Sequence, residues 1–150
     1  MTNTPAITMD DKAAILLEEA RAAHENYLIK QQDADLEKAI EYYIDAIKVN
    51  PSISESYYRL ASLLLMKGQI SIEGALEQCQ TALTLEPNNV NAHIYSGYFQ
   101  CLNGNFEEAE KEFKLAVSNS GKNSARPRLF LSKVLFSRIK NHDSSVTVSY

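Results

Sequence analysis

Pairs of alanines recur along this chain at a nearly constant interval. Ala75 and Ala82 return 34 residues later as Ala109 and Ala116 (75 to 109), and another pair lies 36 residues earlier (39 to 75). A residue that ends helices follows each pair, at Pro51, Pro87 and Gly121. A fixed period of this length is typical of stacked helical hairpins, each of which buries its apolar face against the next. The interval therefore predicts a helical repeat.

The spacing of apolar residues within each repeat predicts helices rather than strands. Leu36, Ala39, Tyr43 and Ala46, for example, fall on a single helical face. Prolines and glycines lie between such segments, where they end helices and form turns. We therefore predict an all-α fold of seven helices, over residues 10–31, 35–49, 54–67, 72–85, 90–102, 106–118 and 125–140.

Polar residues at three predicted helix starts indicate N-caps. Thr8 with Asp11, and Ser52 with Glu55, have the spacing of a capping box, in which a hydroxyl and a carboxylate bind free backbone N–H groups. Ser124 precedes the seventh helix, and we expect it to cap that helix.

Charge is distributed unevenly along the 150 residues. Residues 1–121 contain 18 acidic and 9 basic side chains, whereas residues 122–140 contain 6 basic and no acidic ones. The net charge of −4 gives no reason to expect a nucleic-acid partner. The longest apolar run, at 63–66, is too short to span a bilayer, and the N-terminus does not resemble a signal peptide. We expect a cytoplasmic protein that does not span a membrane, and a membrane is not the partner that we predict.

Three segments of the chain share a pattern of small and large residues. The second repeat has Tyr57, Leu60, Ala61, Leu64, Ala75, Cys79, Ala82 and Pro87, and the third has Gly97, Gly104, Ala109, Phe113 and Ala116. The first repeat matches well only in its second helix. The pattern resembles the tetratricopeptide repeat, W-x-x-L-G-x-x-Y…A-x-x-x-F…P.

This resemblance implies a superhelical stack of three helix–turn–helix repeats followed by one further helix. The repeats lie at about 10–51, 54–87 and 90–121, and the terminal helix at 125–140. Residues 1–9 then form a flexible N-terminus, and residues 141–150 form a tail.

The resemblance also implies a function, because tetratricopeptide repeats are general protein-binding scaffolds. The first helix of each pair lines a concave groove in this family. In the second repeat these groove residues are Glu55, Tyr58, Arg59, Ser62, Leu65 and Met66. In the third repeat they are Asn91, Ile94, Tyr95, Tyr98, Cys101 and Leu102. We predict that this groove binds a peptide or helix of another protein.

Some members of the family hold the C-terminal carboxylate of heat-shock chaperones with lysine, asparagine and arginine. Here Arg59 takes the place of an asparagine, and Asn91 and Tyr95 take the places of a lysine and an arginine. We therefore predict no binding of chaperone tails.

The seventh helix is apolar around most of its circumference. Leu129 and Phe136 lie near Arg126, Lys133 and Lys140, which recur every seven residues. The helix is a cap with a few exposed apolar groups, the first half of a fourth repeat, or a basic segment that contacts a membrane or an acidic partner. The alternative function is self-association, as a homodimer or as the N-terminal assembly domain of a larger protein, through Leu129, Lys133, Phe136 and Lys140.

The sequence predicts no enzyme, and no catalytic, metal or cofactor site. His24, His93 and His142 are far apart, and none has a second metal ligand at helical spacing. Cys79 lies at a helix–helix seam, where a buried thiol is expected, and Cys101 borders the predicted groove.

Overall fold

The computed structural model describes residues 3–121 and 125–146. Every regular element within these residues is an α-helix. The helices are α1 (Met9–Lys30), α2 (Asp33–Val49), α3 (Ser54–Met66), α4 (Ile72–Leu85), α5 (Val90–Leu102), α6 (Phe106–Asn119) and α7 (Ala125–Val146). The all-α prediction and its order of helices are confirmed.

The helix ends agree with the sequence at some caps and differ at others. Thr8 Oγ1 accepts a hydrogen bond from the Asp11 backbone N–H at 3.1 Å, and the Asp11 carboxylate accepts one from the Thr8 N–H at 2.9 Å. This capping box is confirmed. Helix α7 continues to Val146, beyond the predicted end near residue 140. The predicted cap at Ser124 and the last part of the predicted tail lie outside the described residues.

The second predicted capping box is wrong. The residue before α3 is Ile53, and no side chain caps the helix start. Glu55 is drawn instead into ion pairs with Arg21 and Arg59, so its carboxylate does not turn back to the chain before the helix. The Ser52 N–H donates to the Asn50 side chain at 2.9 Å, which makes Ser52 part of a turn.

The chain divides into two compact units, Met1–Ser71 and Ile72–Tyr150. In the first unit α1 packs on α2, and α2 packs on α3. The core of this unit is formed by residues of all three helices: Leu17, Ala20, Ala23, Leu36, Ala39, Ile40, Tyr43 and Leu63.

In the second unit consecutive helices from α4 to α7 pack against one another, and α5 also meets α7. One core cluster of this unit joins α5, α6 and α7 through Ile94, Ala109, Phe113, Ala116 and Val134. The glycines at 68, 104 and 121 have positive φ angles, as expected for residues that close helices.

The recurring small residues form the helix–helix seams. All six repeated alanines are fully buried: Ala39, Ala46, Ala75, Ala82, Ala109 and Ala116. The larger side chains that fill the seams, Tyr43, Cys79 and Phe113, are buried too. A Cβ atom at Gly97 would lie 2.7 Å from the ring of Phe113, so only glycine lets this ring pack so close to the α5 backbone.

A larger side chain at a seam alanine should destabilise the protein. We expect Ala82→Leu or Ala109→Leu to lower the free energy of unfolding by roughly 1–3 kcal/mol, because neither fully buried site has space for the added atoms. Urea unfolding followed by circular dichroism measures this loss. Gln80→Leu, at an exposed position of α4, is the control and should change stability little. Unchanged melts for both alanine variants would show that the seams are assigned to the wrong residues.

Candidate protein-binding site

The predicted groove residues of α3 lie in the first unit, around a cluster of charged side chains. The Glu55 carboxylate accepts hydrogen bonds from Arg21 Nε at 2.8 Å and from Arg59 Nε at 2.6 Å. Burial would raise the pKa of Glu55, but the two guanidinium groups outweigh it and hold that pKa below its usual value. Glu55 therefore stays ionised and links α1 to α3.

The other α3 residues differ in how far they reach solvent. Arg59, Ser62 and Leu65 are half-buried, and Met66 is exposed. Tyr58 is 2% exposed, so its predicted role as an accessible groove residue is wrong. It shares a helical face with Ser54 and Ala61, both of which are buried, and its ring belongs to the interior.

The predicted groove residues of α5 lie in the second unit and form a more accessible surface. Asn91, Tyr95, Tyr98 and Leu102 follow one another at helical spacing, so they share a face. Tyr98 and Leu102 are about half exposed, at 47% and 48%, and Asn91 and Tyr95 are half-buried. Helix α5 thus presents a tyrosine-rich stripe to solvent.

Two cavities flank Tyr98 where α5 meets α7. The first, of about 190 Å³, is lined by Ile94, Tyr95, Tyr98, Arg126 and Phe130. The second, of about 260 Å³, is lined by Tyr98, Cys101, Phe106, Phe113, Phe130, Lys133 and Val134. We call the two cavities with Tyr98 between them the α5–α7 site. Each is below the roughly 300 Å³ at which small-molecule sites begin, a size that suits single side chains of a larger ligand.

The rings around the α5–α7 site support one another. Phe130 stacks on Phe113 with ring centroids 5.5 Å apart, and Phe113 fills the space over Gly97. The Lys133 ammonium lies 6.0 Å from the Phe130 ring centroid, within range of a cation–π contact. Tyr98 packs at an angle on buried Phe99, with 5.9 Å between centroids. These contacts fix the rings, so the site is largely formed before a ligand arrives.

Sequence reasoning missed half of this site. Ile94, Tyr95, Tyr98 and Cys101 were predicted, and all four line the cavities. Ile94 is only 3% exposed and belongs to the core cluster, so its predicted role as an accessible groove residue is wrong. The contributions of Arg126 and Phe130 from α7 and of Phe106 from α6 were not predicted. The repetition of basic residues in α7 was the available signal, but it does not show which helix they face.

The second predicted interface lies on the solvent side of α7. Leu129 and Phe136 are 54% and 69% exposed, and Lys133 and Lys140 are exposed as well. The structure therefore leaves these four side chains accessible, and their role as a contact surface stays a prediction.

His93, near the start of α5, lies within hydrogen-bond distance of α6 and of the turn after α4. Its Nδ1 lies 2.7 Å from the Glu112 carboxylate on α6, and its Nε2 lies 2.8 Å from the Pro87 carbonyl oxygen. Both partners are acceptors, so both ring nitrogens donate only when the imidazole is protonated. The hydrogen bond to Glu112 is the main reason why the pKa of His93 is raised above its usual value.

The two thiols are poor nucleophiles. Burial raises the pKa of Cys79 to about 12, and it raises that of Cys101 as well. Within the described residues no three His, Cys, Asp or Glu side chains lie together where they could hold a metal ion. None of the described helices is both long enough and apolar enough to cross a membrane.

A family model described as tetratricopeptide repeat matches residues 28–53, which include the whole of α2. This segment of the chain is therefore similar to the tetratricopeptide repeat. Within the first repeat, α2 is the helix whose sequence fits the tetratricopeptide pattern, and the match includes it.

Solved tetratricopeptide-repeat (TPR) domains have the same fold along most of this chain. The Sgt2 TPR domain from Aspergillus fumigatus matches with a TM-score of 0.72 and 18% identity, over 100% of this chain and 91% of that one. The first TPR of Spaghetti (RPAP3), bound to the HSP90 peptide SRMEEVD, matches with 0.69 and 19%, over 85% and 96%. The TPR2B domain of yeast Sti1, in a complex with pHsp70, matches with 0.64 and 23%, over 82% and 98%.

The His93 ion pair should make stability fall as pH rises. A raised pKa in the folded state means that the stabilisation is fully present below the unfolded value of about 6.5 and is lost as pH rises through the folded value. At pH 6 we expect Glu112→Gln to lower the free energy of unfolding by about 1–3 kcal/mol. At pH 9 the deficit should shrink. Urea melts at both pH values measure it, and a deficit that is equal at both would show that no charge is involved.

His24 should have the opposite effect in the first unit. It is buried against Tyr43, with ring centroids 6.2 Å apart, and burial with nearby Arg59 lowers its pKa to about 4. Between these pH values the unfolded chain binds a proton at His24, whereas the folded chain does not. Stability is therefore lost as pH falls from about 6.5 to about 4. We expect His24→Gln to lose less stability than wild type over this range. Parallel slopes for the two proteins in pH-dependent urea melts would contradict the assignment.

Proposed function

We propose that this protein is a non-catalytic interaction scaffold that holds a peptide or helix of another protein at the α5–α7 site. The observation that carries the proposal is Tyr98, a half-exposed ring between two cavities of side-chain size. A peptide running over this ring would place one apolar side chain in each cavity. Of all the predicted groove residues, the proposal assigns binding only to those in one part of the second unit.

The chemistry of the site supports a peptide ligand. Tyrosine side chains offer rigid contact area and a hydroxyl for hydrogen bonding, which is why they are frequent at binding hot spots. Arg126 and Lys133 line one cavity each, so each apolar pocket lies beside a positive charge. This arrangement fits a segment in which apolar and acidic side chains are interspersed.

The solved domains of the same fold support the class of ligand. One of them is bound to the HSP90 peptide SRMEEVD, and another is in a complex with pHsp70. Their identity to this chain is 19% and 23%, so the likeness supports a protein ligand in general and not these peptides.

Chaperone tails remain outside the proposal. Arg59, a predicted groove residue of α3, and Arg21 of α1 are both bound to Glu55 of the same chain. A peptide carboxylate would have to compete with this internal carboxylate, which is covalently held in place. Met66 and Leu65 of α3 stay predicted contacts in the first unit.

The raised thiol pKa values support a non-catalytic role, because a protonated thiol is a weak nucleophile. The two cysteines are free, which fits a reducing compartment. We propose the cytoplasm as its location.

Removing the Tyr98 ring should weaken peptide binding. The probes are peptides selected on the folded wild-type protein from a displayed random library, with SRMEEVD as a comparison that we expect to bind no better than its scrambled form. We expect Tyr98→Ala to raise the Kd of the selected peptides about tenfold or more, which corresponds to about 1.4 kcal/mol. Fluorescence anisotropy measures the Kd.

The matched control is Leu115→Ala, because Leu115 on α6 is 46% exposed but lies outside the α5–α7 site. It should leave the Kd unchanged. Selected peptides that bind Tyr98→Ala as tightly as wild type would refute this site as the place of binding.

Self-association is the second candidate function. It is favoured by the two exposed apolar side chains on the solvent side of α7, Leu129 and Phe136. Large exposed apolar groups flanked by charges are typical of surfaces that contact another protein.

A further inference from the structure

The larger of the two cavities beside Tyr98 is lined by aromatic rings from three helices. Tyr98 comes from α5, Phe106 and Phe113 come from α6, and Phe130 comes from α7. Phe106 and Phe113 are seven residues apart in sequence, so they share one face of α6. We call this cavity the ring pocket. A side chain that enters it meets aromatic surface from each of the three helices.

The burial of the lining residues shows that the ring pocket has depth. Phe113 and Val134 are buried and form its inner end, Cys101 and Phe130 are half-buried, and Lys133 is exposed at its mouth. A side chain that reaches Phe113 therefore leaves water. An apolar cavity of about 150 Å³ is large enough to hold benzene. The ring pocket, of about 260 Å³, has space for a phenyl or an indole ring.

Two of the rings are held in place before any ligand binds. Phe113 packs against the backbone at Gly97, and its plane lies within 10° of that of Phe130 in an offset stack. Such rings need little further ordering when a ligand arrives. Aromatic rings that pack edge-to-face or offset stabilise one another beyond the effect of area burial alone. A ring of the ligand gains this extra stabilisation in the ring pocket, whereas an aliphatic side chain gains only from burial.

The charge at the ring pocket favours a neutral ligand group. Several rings around a cavity can also hold a cation, because the face of a ring attracts positive charge. Here, however, Lys133 lines the same pocket, with its ammonium 6.0 Å from the centroid of Phe130. None of the described lining residues is acidic, and burial raises the pKa of Cys101, so its thiol is uncharged. A second ammonium would therefore meet an uncompensated positive charge.

Methionine is the strongest rival to an aromatic side chain in such a pocket, because its thioether also packs well on rings. A methionine side chain has three rotatable bonds, and all of them become fixed when it is buried. An aromatic side chain has only two such angles to fix. Burial therefore costs methionine more conformational entropy, and the ring pocket favours the stiffer aromatic group.

We propose that the ring pocket sets the specificity of the α5–α7 site by selecting a neutral aromatic side chain, phenylalanine or tryptophan, of the bound segment. This inference rests on the proposed function, because it requires a peptide that lies over Tyr98. It narrows the ligand from any segment with apolar and acidic side chains to one that carries an aromatic ring at a fixed position.

A double-mutant cycle between peptide and protein tests the inference. The probe is the tightest of the peptides selected on folded wild type, which we expect to share one aromatic position. Synthetic versions carry leucine, methionine or lysine at that position, and fluorescence anisotropy measures each Kd. On wild type the Kd should rise about three- to tenfold with leucine and about twofold or more with methionine. Lysine should raise it further than leucine does.

Phe106→Leu removes one ring from the ring pocket but keeps the lining apolar. It should reduce the preference for the aromatic peptide over the leucine peptide about twofold or more. The matched control is Tyr95→Leu, which removes a half-buried ring that lines only the smaller cavity and should leave this preference unchanged.

Lys133→Glu is a second variant, at an exposed position where substitution is expected to preserve the fold. It should improve binding of the lysine peptide about tenfold or more, because the charge at the mouth of the pocket is reversed. Circular dichroism checks the folding of every variant, and Lys133→Glu tests the pocket even if Phe106→Leu is unstable.

Several results would overturn the inference. Selected peptides that depend on Tyr98 but share an aliphatic residue or methionine overturn it and leave the proposed function intact. A preference that Phe106→Leu does not change places the ligand's ring outside this pocket. A lysine peptide that binds wild type as tightly as the aromatic one shows that the rings hold a cation. Peptides that bind Tyr98→Ala as tightly as wild type overturn the α5–α7 site itself, and this inference with it.

Discussion

The helices of each unit approach one another through residues that have little or no side chain. Alanines at the seams are fully buried, and at Gly97 even a single added carbon would meet the ring of Phe113. Close packing of this kind leaves no tolerance for an added methylene, so the identity of the seam residues fixes the distance between helices. That distance in turn decides which larger side chains find space, and where.

The α5–α7 site follows from this spacing. Because Gly97 admits the ring of Phe113, that ring lies deep enough for Phe130 of α7 to stack on it. Phe130 then forms a wall shared by the cavities on both sides of Tyr98. His93 adds a polar link at the other end of α5, since its two hydrogen bonds hold the helix to α6 and to the turn after α4. The binding surface is thus a consequence of core packing.

Charged side chains have different surroundings inside the first unit and on the surfaces of α1 and α7. Inside the first unit Glu55 neutralises two arginines, and this ion-pair cluster makes the α3 surface less available to an incoming carboxylate. On the surfaces of α1 and α7, by contrast, charged residues alternate with exposed apolar ones.

The sequence by itself determined the seven helices, the turns and the seam residues, because these depend on local backbone preferences and on the period of small and apolar side chains. The capping box of Thr8 and Asp11 was predictable for the same reason, because it involves only residues close in sequence. Only the tertiary structure decided that Glu55 leaves its predicted cap for Arg21, 34 residues away, and that Tyr58 turns inward. It also decided that Phe130 lines the same cavities as Tyr98. Periodicity shows which residues share a face of a helix, but the neighbour that covers this face is set by the packing of residues distant in sequence.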